Sequence, residues 1–316
     1  MFLDILTLAA GLVLLVFAGD YLVKGAAGLA ENLGIPSLII GLTIVAFGTS
    51  APELVVSLQS ALTGAPDIAV GNVIGSNIAN VLLVMGIPAT IAAIHANQSG
   101  LARNVAVMLV FTIAFMWVIS DDRLERMEAA ALFAGLLLFT LAQLLRARAH
   151  AGAADEETGD YHDELGELPH APRRIAVYLA GGLIGLPIAA QLTVSGASGI
   201  AETFGISQAA IGLTIVAVGT SLPELATTMA AAWRKQADVA LGNVIGSSIF
   251  NIGAIMGITG LIIPIPVSHI IIERDMWVML ATAILLAVIC FARVTTGRMI
   301  GTAMSIAYLV YLVTVF

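Results

Sequence analysis

Apolar residues run through this chain in long blocks, and the polar positions gather in short breaks between them. Blocks near 3–23, 33–62, 68–94, 104–120, 127–147, 174–194, 207–233, 239–264, 275–293 and 299–316 each hold enough apolar residues for a helix to cross a bilayer, which takes about 20. They are too long for the alternating segments of about 10 residues that build an outer-membrane barrel. The pattern therefore predicts an all-α integral membrane protein with ten transmembrane helices. Four blocks, 33–62, 68–94, 207–233 and 239–264, exceed one crossing and carry Gly or Pro near the middle. Long, interrupted helices at corresponding places in two halves point to a binding site near mid-membrane.

The halves repeat. GLTIVAFGTSAPEL (41–54) recurs as GLTIVAVGTSLPEL (212–225), identical at 12 of 14 positions. At the same offset of 171, DIAVGNVIGSNIAN (67–80) returns as DVALGNVIGSSIFN (238–251), identical at 10 of 14. Glu31 and Glu202 also repeat, but near span ends, where an interfacial position suits them. Five spans separate equivalent points, and an odd number inverts the second copy. The expected organisation is a first five-helix repeat over 1–149, a linker over 150–172 and a second, inverted repeat over 173–316. The distribution of basic residues tests this independently. With both termini outside, Lys24, Arg103, Arg146, Arg148, Arg173, Arg174, Arg234, Lys235, Arg293 and Arg298 face the cytoplasm, and Arg123, Arg126 and Arg274 face out, which accounts for all 13. The first residues, MFLDILTLAA, carry no basic flank and read as a first span rather than a cleaved signal.

Composition agrees with the pattern. Of 316 residues, 59% are hydrophobic and 11% charged, against about 25% charged in soluble domains. A single cysteine, Cys290, excludes an internal disulfide and every multi-cysteine metal motif. The net charge of −8 argues against nucleic acid as a partner. Much of it comes from the linker, which holds Asp155, Glu156, Glu157, Asp160, Asp163, Glu164 and Glu167 without a Lys or Arg between them. Their spacing fits no EF-hand loop, so the linker reads as a solvated cytoplasmic segment.

The candidate chemistry lies in the two repeated signatures. Glu53 and Glu224 sit in apolar blocks at matching positions, and a carboxylate at membrane depth is costly enough to imply a function. Pro52 and Pro223 precede them and free the carbonyls of Gly48 and Gly219. Those carbonyls, the hydroxyls of Thr49, Ser50, Thr220 and Ser221 and the two carboxylates form a set of hard oxygen ligands, and within each half they lie within about one helical turn. In the second motif Asn72, Ser76 and Asn80 recur every four residues, and so do Asn243, Ser247 and Asn251. Asn72 and Asn243 are candidates for ligands or for ties between helices, Asn80 and Asn251 for ligands. Gly71, Gly75, Gly242 and Gly246 would let backbones approach closely. An oxygen set without soft donors suits Ca²⁺ or Na⁺ rather than zinc or copper. The histidines at 95, 150, 162, 170 and 269 fall near span ends or in the linker, away from any proton relay.

The motifs GTSAPE (48–53), GTSLPE (219–224), GNVIGSNIAN (71–80) and GNVIGSSIFN (242–251) resemble those of the cation/Ca²⁺ antiporter superfamily, on its sodium/calcium exchanger side. The resemblance implies that Glu53 and Glu224 are the principal Ca²⁺ ligands, shared with Na⁺. It adds oxygens from Thr49 and Thr220, backbone carbonyls of Ala46 and Ala217, and hydroxyls of Ser76 and Ser247 for flanking Na⁺ sites, with Asn80 and Asn251 completing the centre. Some prokaryotic relatives carry Asp where this chain has Asn251, and Ser248 breaks the match to Asn77. The implied activity is Na⁺-driven Ca²⁺ antiport by alternating access in the cell membrane, with Ca²⁺ and Na⁺ as substrates and the lipid bilayer as surroundings. No cofactor and no obligatory protein partner is expected. H⁺/Ca²⁺ exchange is the alternative within transport. An intramembrane acid/base enzyme is disfavoured because the two halves repeat the same groups, whereas acid/base chemistry needs unlike environments. A passive channel lacks a filter motif.

Overall fold

The structure is a computed structural model that describes residues 1–150, 168–204 and 217–315. The acidic stretch 151–167, the start of the block expected at 207–233 and the Gly212–Val216 part of the second signature lie outside the described residues.

Helix α1 (Phe2–Leu33) continues well past the apolar block that announces it. The extension, KGAAGLAENL (24–33), continues the helix through Ala and Leu, while Lys24, Glu31, Asn32 and two glycines lower its hydropathy below that of a span. It stops at Gly34, in the left-handed conformation with φ 60°, whose N–H bonds the last carbonyls before Pro36 bars continuation. The block expected at 33–62 divides into α2 (Leu38–Thr49) and α3 (Ala51–Leu62), which meet at 43°. Beyond them run α4 (Pro66–Ile91), α5 (Leu101–Val118), α6 (Arg126–His150) and α7 (Pro172–Thr203). The short α8 (Ala217–Thr220) and α9 (Leu222–Trp233) then lead into α10 (Ala237–Ile262), α11 (Ile271–Phe291) and α12 (Arg298–Val315). Among the described residues, seven of these helices are long and apolar enough to cross a membrane, the bent α2–α3 pair adds an eighth, and α12 is apolar but shorter.

Two helices of each half follow the sequence repeat. At the offset of 171, α3 falls on α9 and α4 on α10. Within α4 and α10 the helix loosens into π turns at Asn80–Val84 and Asn251–Met256, each opened by the equivalent asparagine. Such turns occur mostly at functional sites. Two small antiparallel ties, β1 (Arg123–Leu124) with β2 (Ile265–Pro266) and the bridge Ile94↔Thr296, depart from the all-α expectation. They too are equivalent: the offset carries Ile94 onto Ile265 and Leu124 to within a residue of Thr296.

The polar stripe is the inside of the molecule. Every residue from Val239 to Phe250 in α10 is buried, and Val70, Val73, Ile74 and Ile78 of α4 are equally enclosed. The apolar residues that remain exposed, such as Val16 and Phe17 of α1, Leu137 and Leu138 of α6 and Ile184 and Ile188 of α7, lie on the outer helices. A helix apolar on the outside and polar within fits a lipid surround, where the hydrophobic effect cannot hold helices together and close packing must. Glycine permits that packing. A Cβ on Gly182 of α7 would stand 2.5 Å from the Leu22 Cβ and 2.7 Å from its Cα, so α1 and α7 touch backbone to backbone. A Cβ on Gly242 of α10 would meet the Leu38 carbonyl at 2.9 Å and Gly41 Cα at 3.1 Å, so α2 lies against α10 in the same way. Gly246 approaches Leu42 and Ala46 as closely. For Gly71 and Gly75, nothing among the described residues comes within 4 Å; the offset pairs them with 209–217, most of which lies outside the description.

Candidate functional site

The break between α2 and α3 is where the first signature acts. The helix ends at Thr49, Ser50 turns with φ −83° and ψ 3°, and α3 restarts with Pro52 in its first turn. There the missing proline N–H costs nothing, because first-turn amides have no partner within the helix. The second signature does the same: Ser221 turns with φ −87° and ψ 6°, and α9 starts with Pro223. Glu53 and Glu224 therefore fall in the first turns of α3 and α9, where the positive end of the helix dipole favours a carboxylate.

Each broken turn is laid on the stripe of the other half. The Thr49 hydroxyl donates to Asn243 Oδ1 at 3.1 Å and lies 3.4 Å from Ser247 Oγ. In the equivalent place the Thr220 hydroxyl donates to Asn72 Oδ1 at 3.4 Å, and Ser221 Oγ donates to Ser76 Oγ at 3.5 Å. Ser50 Oγ donates to Glu224 Oε1 at 3.0 Å, which seats that glutamate at the break beside Glu53. The two carboxylates are close enough for their charges to interact. The π turn of Asn80 packs against α9, which bears Glu224, and that of Asn251 packs against α3, which bears Glu53. The Ala46 carbonyl accepts from the Ser50 amide at 3.1 Å and from Thr49 Oγ1 at 3.3 Å. The Ala217 side chain lies outside the described atoms. Thr49, Thr220, Ser50, Ser221, Ser76, Ser247, Glu53, Glu224, Asn80 and Asn251 are all buried.

The sequence leaves Asn72 and Asn243 between ligands and ties, and the structure shows what they tie. Asn72 Nδ2 donates to Ser57 Oγ at 2.9 Å and to the Glu53 carbonyl at 3.3 Å. Asn243 Nδ2 donates to Thr228 Oγ1 at 3.0 Å and to the Glu224 carbonyl at 3.3 Å. One carboxamide thus holds a glutamate of its own half through the N–H and a threonine of the other half through the oxygen. Ser57 and Thr228 were not singled out from sequence, although they stand at the same offset and share a hydroxyl.

What remains open in the cluster is acceptor capacity. Among the described residues, both carboxylate oxygens of Glu53, Oε2 of Glu224 and Oδ1 of both Asn251 and Asn80 are buried without a hydrogen-bond partner, as is one donor, Asn80 Nδ2. Neither glutamate forms an ion pair with a described Lys, Arg or His. Buried acceptors in such numbers are rare in folded proteins, because each costs the solvation it gave up. A hard cation satisfies several of them at once and cancels the repulsion between the carboxylates. No described group of three His, Cys, Asp or Glu exists to hold a metal by charge alone, so the site combines two charges with neutral oxygens.

An all-helical membrane protein with a buried oxygen cage built jointly by two repeated halves is an ion transporter, not an enzyme. Residues 3–145 and 174–316 match the family model described as sodium/calcium exchanger protein, and the chain belongs to that family. It is 33% identical to the sodium/calcium exchanger MaX1 of Methanosarcina acetivorans over 99% of this chain and 98% of the relative. It is 37% identical to the inner membrane protein YrbG of Escherichia coli, over 96% and 94% of the two chains. Its structure superposes on that of the sodium-calcium exchanger NCX_Mj soaked with 10 mM Na⁺ and 10 mM Sr²⁺ with a TM-score of 0.83 at 32% identity, covering 99% of this chain and 98% of the other.

The unmatched carboxylates lead to a stability prediction. In buffer without Na⁺ or divalent ions, Glu53→Gln should melt at or above the wild-type temperature, by roughly 2–5 °C, because it removes one of two repelling buried charges. Saturating Ca²⁺ should raise the wild-type melting temperature, by about 2.7 kcal/mol of stability at a hundredfold excess over Kd, and leave the variant unmoved. Differential scanning fluorimetry in detergent reads both. A variant that melts far lower in ion-free buffer would make Glu53 a structural residue.

Proposed function

We propose that this protein is a secondary active antiporter that exchanges Na⁺ for Ca²⁺ across the cell membrane. The observation that carries the reading is the pair of facing, buried glutamates whose oxygens have no protein partner. Two negative charges balance one Ca²⁺ or are shared by several Na⁺, so the ions compete for one cage, and that competition is the physical basis of exchange. Glu53 and Glu224 are the central ligands. Thr49, Thr220, Ser50, Ser221, Ser76 and Ser247 supply hydroxyls, Ala46 and Ala217 supply carbonyls, and Asn80 and Asn251 supply amide oxygens. The relatives named for sodium/calcium exchange support the choice of ions. The prosthetic groups of enzymes have no place in this cycle; Ca²⁺ and Na⁺ are the bound ions.

Alternating access follows from ten spans arranged as two inverted five-helix repeats, 1–149 and 173–316, on either side of a cytoplasmic linker, 150–172. Contacts between loops support this arrangement. The ladder joining Arg123 and Leu124 to Ile265 and Pro266, the Asp67 carboxylate accepting from the Ser268 amide at 3.2 Å, and Arg274 donating to the Thr314 carbonyl at 2.8 Å all join segments assigned to the outside. The bridge Ile94↔Thr296, Arg298 donating to the Thr90 carbonyl at 3.2 Å, and Asn32 donating to the His170 carbonyl at 2.7 Å join segments assigned to the cytoplasm. No such contact in the described chain joins the two sides. Inverted copies of one binding half, facing each other at mid-membrane, can open to either side by the same rearrangement.

Cysteine labelling tests the orientation. Asn97 and Asp121 lie on exposed loops, and Cys290 is buried. In a Cys290→Ser background, Asp121→Cys should react with an impermeant maleimide in whole cells, and Asn97→Cys only after the membrane is opened. Reaction of both from outside would contradict the inverted plan.

Flux tests the chemistry. Proteoliposomes loaded with Na⁺ should take up ⁴⁵Ca²⁺ on dilution into Na⁺-free buffer, and Glu53→Gln or Glu224→Gln should abolish the uptake. Uptake that follows an imposed pH difference and ignores Na⁺ would replace the reading with H⁺/Ca²⁺ exchange, which two adjacent carboxylates could also support.

A further inference from the structure

The two halves match closely around the glutamates, and among the polar positions of the two signatures they part at one pair. Asn77 has Ser248 as its counterpart. Asn77 is buried on α4, with Nδ2 on Met279 Sδ at 3.7 Å, and its Oδ1 accepts the Asn251 Nδ2 at 3.0 Å. Ser248 makes no equivalent reach. Its hydroxyl donates at 2.9 Å to the Val244 carbonyl one turn back on its own helix. Consequently Asn251 is held by its amide nitrogen, while both side-chain amide atoms of Asn80 lack a partner among the described residues.

We infer that Asn77 is a positioning residue that fixes the Asn251 carboxamide, so that one ligand oxygen of the site is set in advance while its counterpart on Asn80 adjusts to the ion. This rests on the exchange reading of the site. A primary amide can offer a cation either its oxygen or, turned over, its repelling N–H₂ edge. With Nδ2 occupied by Asn77, Asn251 has only Oδ1 left to offer, and that atom is the buried one without a partner. Asn251 lies on the π turn packed against α3, so its oxygen is delivered beside Glu53 at no orientational cost when an ion arrives. Asn80, at the equivalent turn beside α9, has no such tie among the described residues. Ions of different coordination number need one such adaptable ligand, since Ca²⁺ takes about 6–8 oxygens and tolerates irregular geometry. Asn77 thus acts on the cation through Asn251 and need not touch it.

The test uses the residue that nature places at the equivalent position. Asn77→Ser should fold, because Ser248 occupies the matching site on α10. Initial rates of Ca²⁺ uptake into proteoliposomes are measured against Ca²⁺ concentration for wild type, Asn77→Ser, Asn251→Ala, the double variant of the two, and the swap Asn77→Ser with Ser248→Asn. Losing the tie should raise the KM for Ca²⁺ roughly five- to tenfold, the size of one buried hydrogen bond, with kcat changed less than about twofold. Asn77→Ser should add nothing to Asn251→Ala, as for residues acting as a unit. The swap should pin Asn80 in place of Asn251 and bring KM back to within about threefold of wild type, a rescue that a general packing defect would not give. Asn77→Ala serves as a second route to the same KM shift. A wild-type KM in Asn77→Ser alongside a raised KM in Asn251→Ala would overturn the inference and leave the exchange reading intact. Multiplying effects in the double variant would overturn it too. Absence of both Na⁺- and H⁺-driven flux in the wild type would instead overturn the exchange reading, and this inference with it.

Discussion

Two buried carboxylates, Glu53 and Glu224, lie close enough for their charges to interact, with no basic side chain among the described residues to meet them. The Coulomb repulsion between like charges a few ångströms apart grows as water is removed, and nothing in the described protein relieves it. The fold is arranged to make that unfavourable pairing possible, and in the proposed cycle a bound cation relieves it. Breaking α2 from α3, and α8 from α9, puts both carboxylates at positive helix ends. Packing α2 on α10 through Gly41 and Gly242 brings the hydroxyls of one half onto the amides of the other. The lipid-facing helices α1, α6 and α7 enclose the polar centre with apolar side chains.

The binding site belongs to neither half alone. Asn72 and Asn243 each bind the backbone beside a glutamate of their own half and accept from a threonine of the other. A shift of one half relative to the other must therefore disturb both ligand sets together. That is a useful property in a transporter, whose site has to change its exposure as a whole. The departure from symmetry at Asn77 and Ser248 is small in sequence, yet it leaves Asn251 bonded by Asn77 while Asn80 has no matching tie among the described residues.

Much of this was legible from residues alone, since in a membrane protein a polar group in an apolar block has few reasons to be there. The apolar blocks, the offset of 171 and the two glutamates located the elements and the centre. The breaks at Ser50 and Ser221 were legible as proline effects, although the sequence suggested kinks within a helix where the chain starts a new helix. The length of α1 was not legible, because Lys24, Gly25, Gly28, Glu31 and Asn32 break the apolar block without stopping the helix, and hydropathy reports the membrane rather than the helix. The loop ties through Ile94 and Leu124 were missed because a two-residue ladder leaves no periodicity to read. The partners of Asn72, Asn77 and Asn243 depend on helices brought together across 15 to 202 positions of sequence, and no local pattern specifies them. The paired occurrence of Ser57 and Thr228 at the repeat offset was the signal that could have been used.

The central claim is that both glutamates bind one Ca²⁺ together. It is tested most directly by calorimetric titration of Ca²⁺ into the purified protein in Na⁺-free buffer, for wild type, Glu53→Gln and Glu224→Gln. A jointly held ion predicts one Ca²⁺ per wild-type chain, displaced by added Na⁺, and loss of measurable binding in each single variant while the protein remains folded. Near wild-type affinity in either variant would show that its glutamate does not hold the ion and would contradict the shared site.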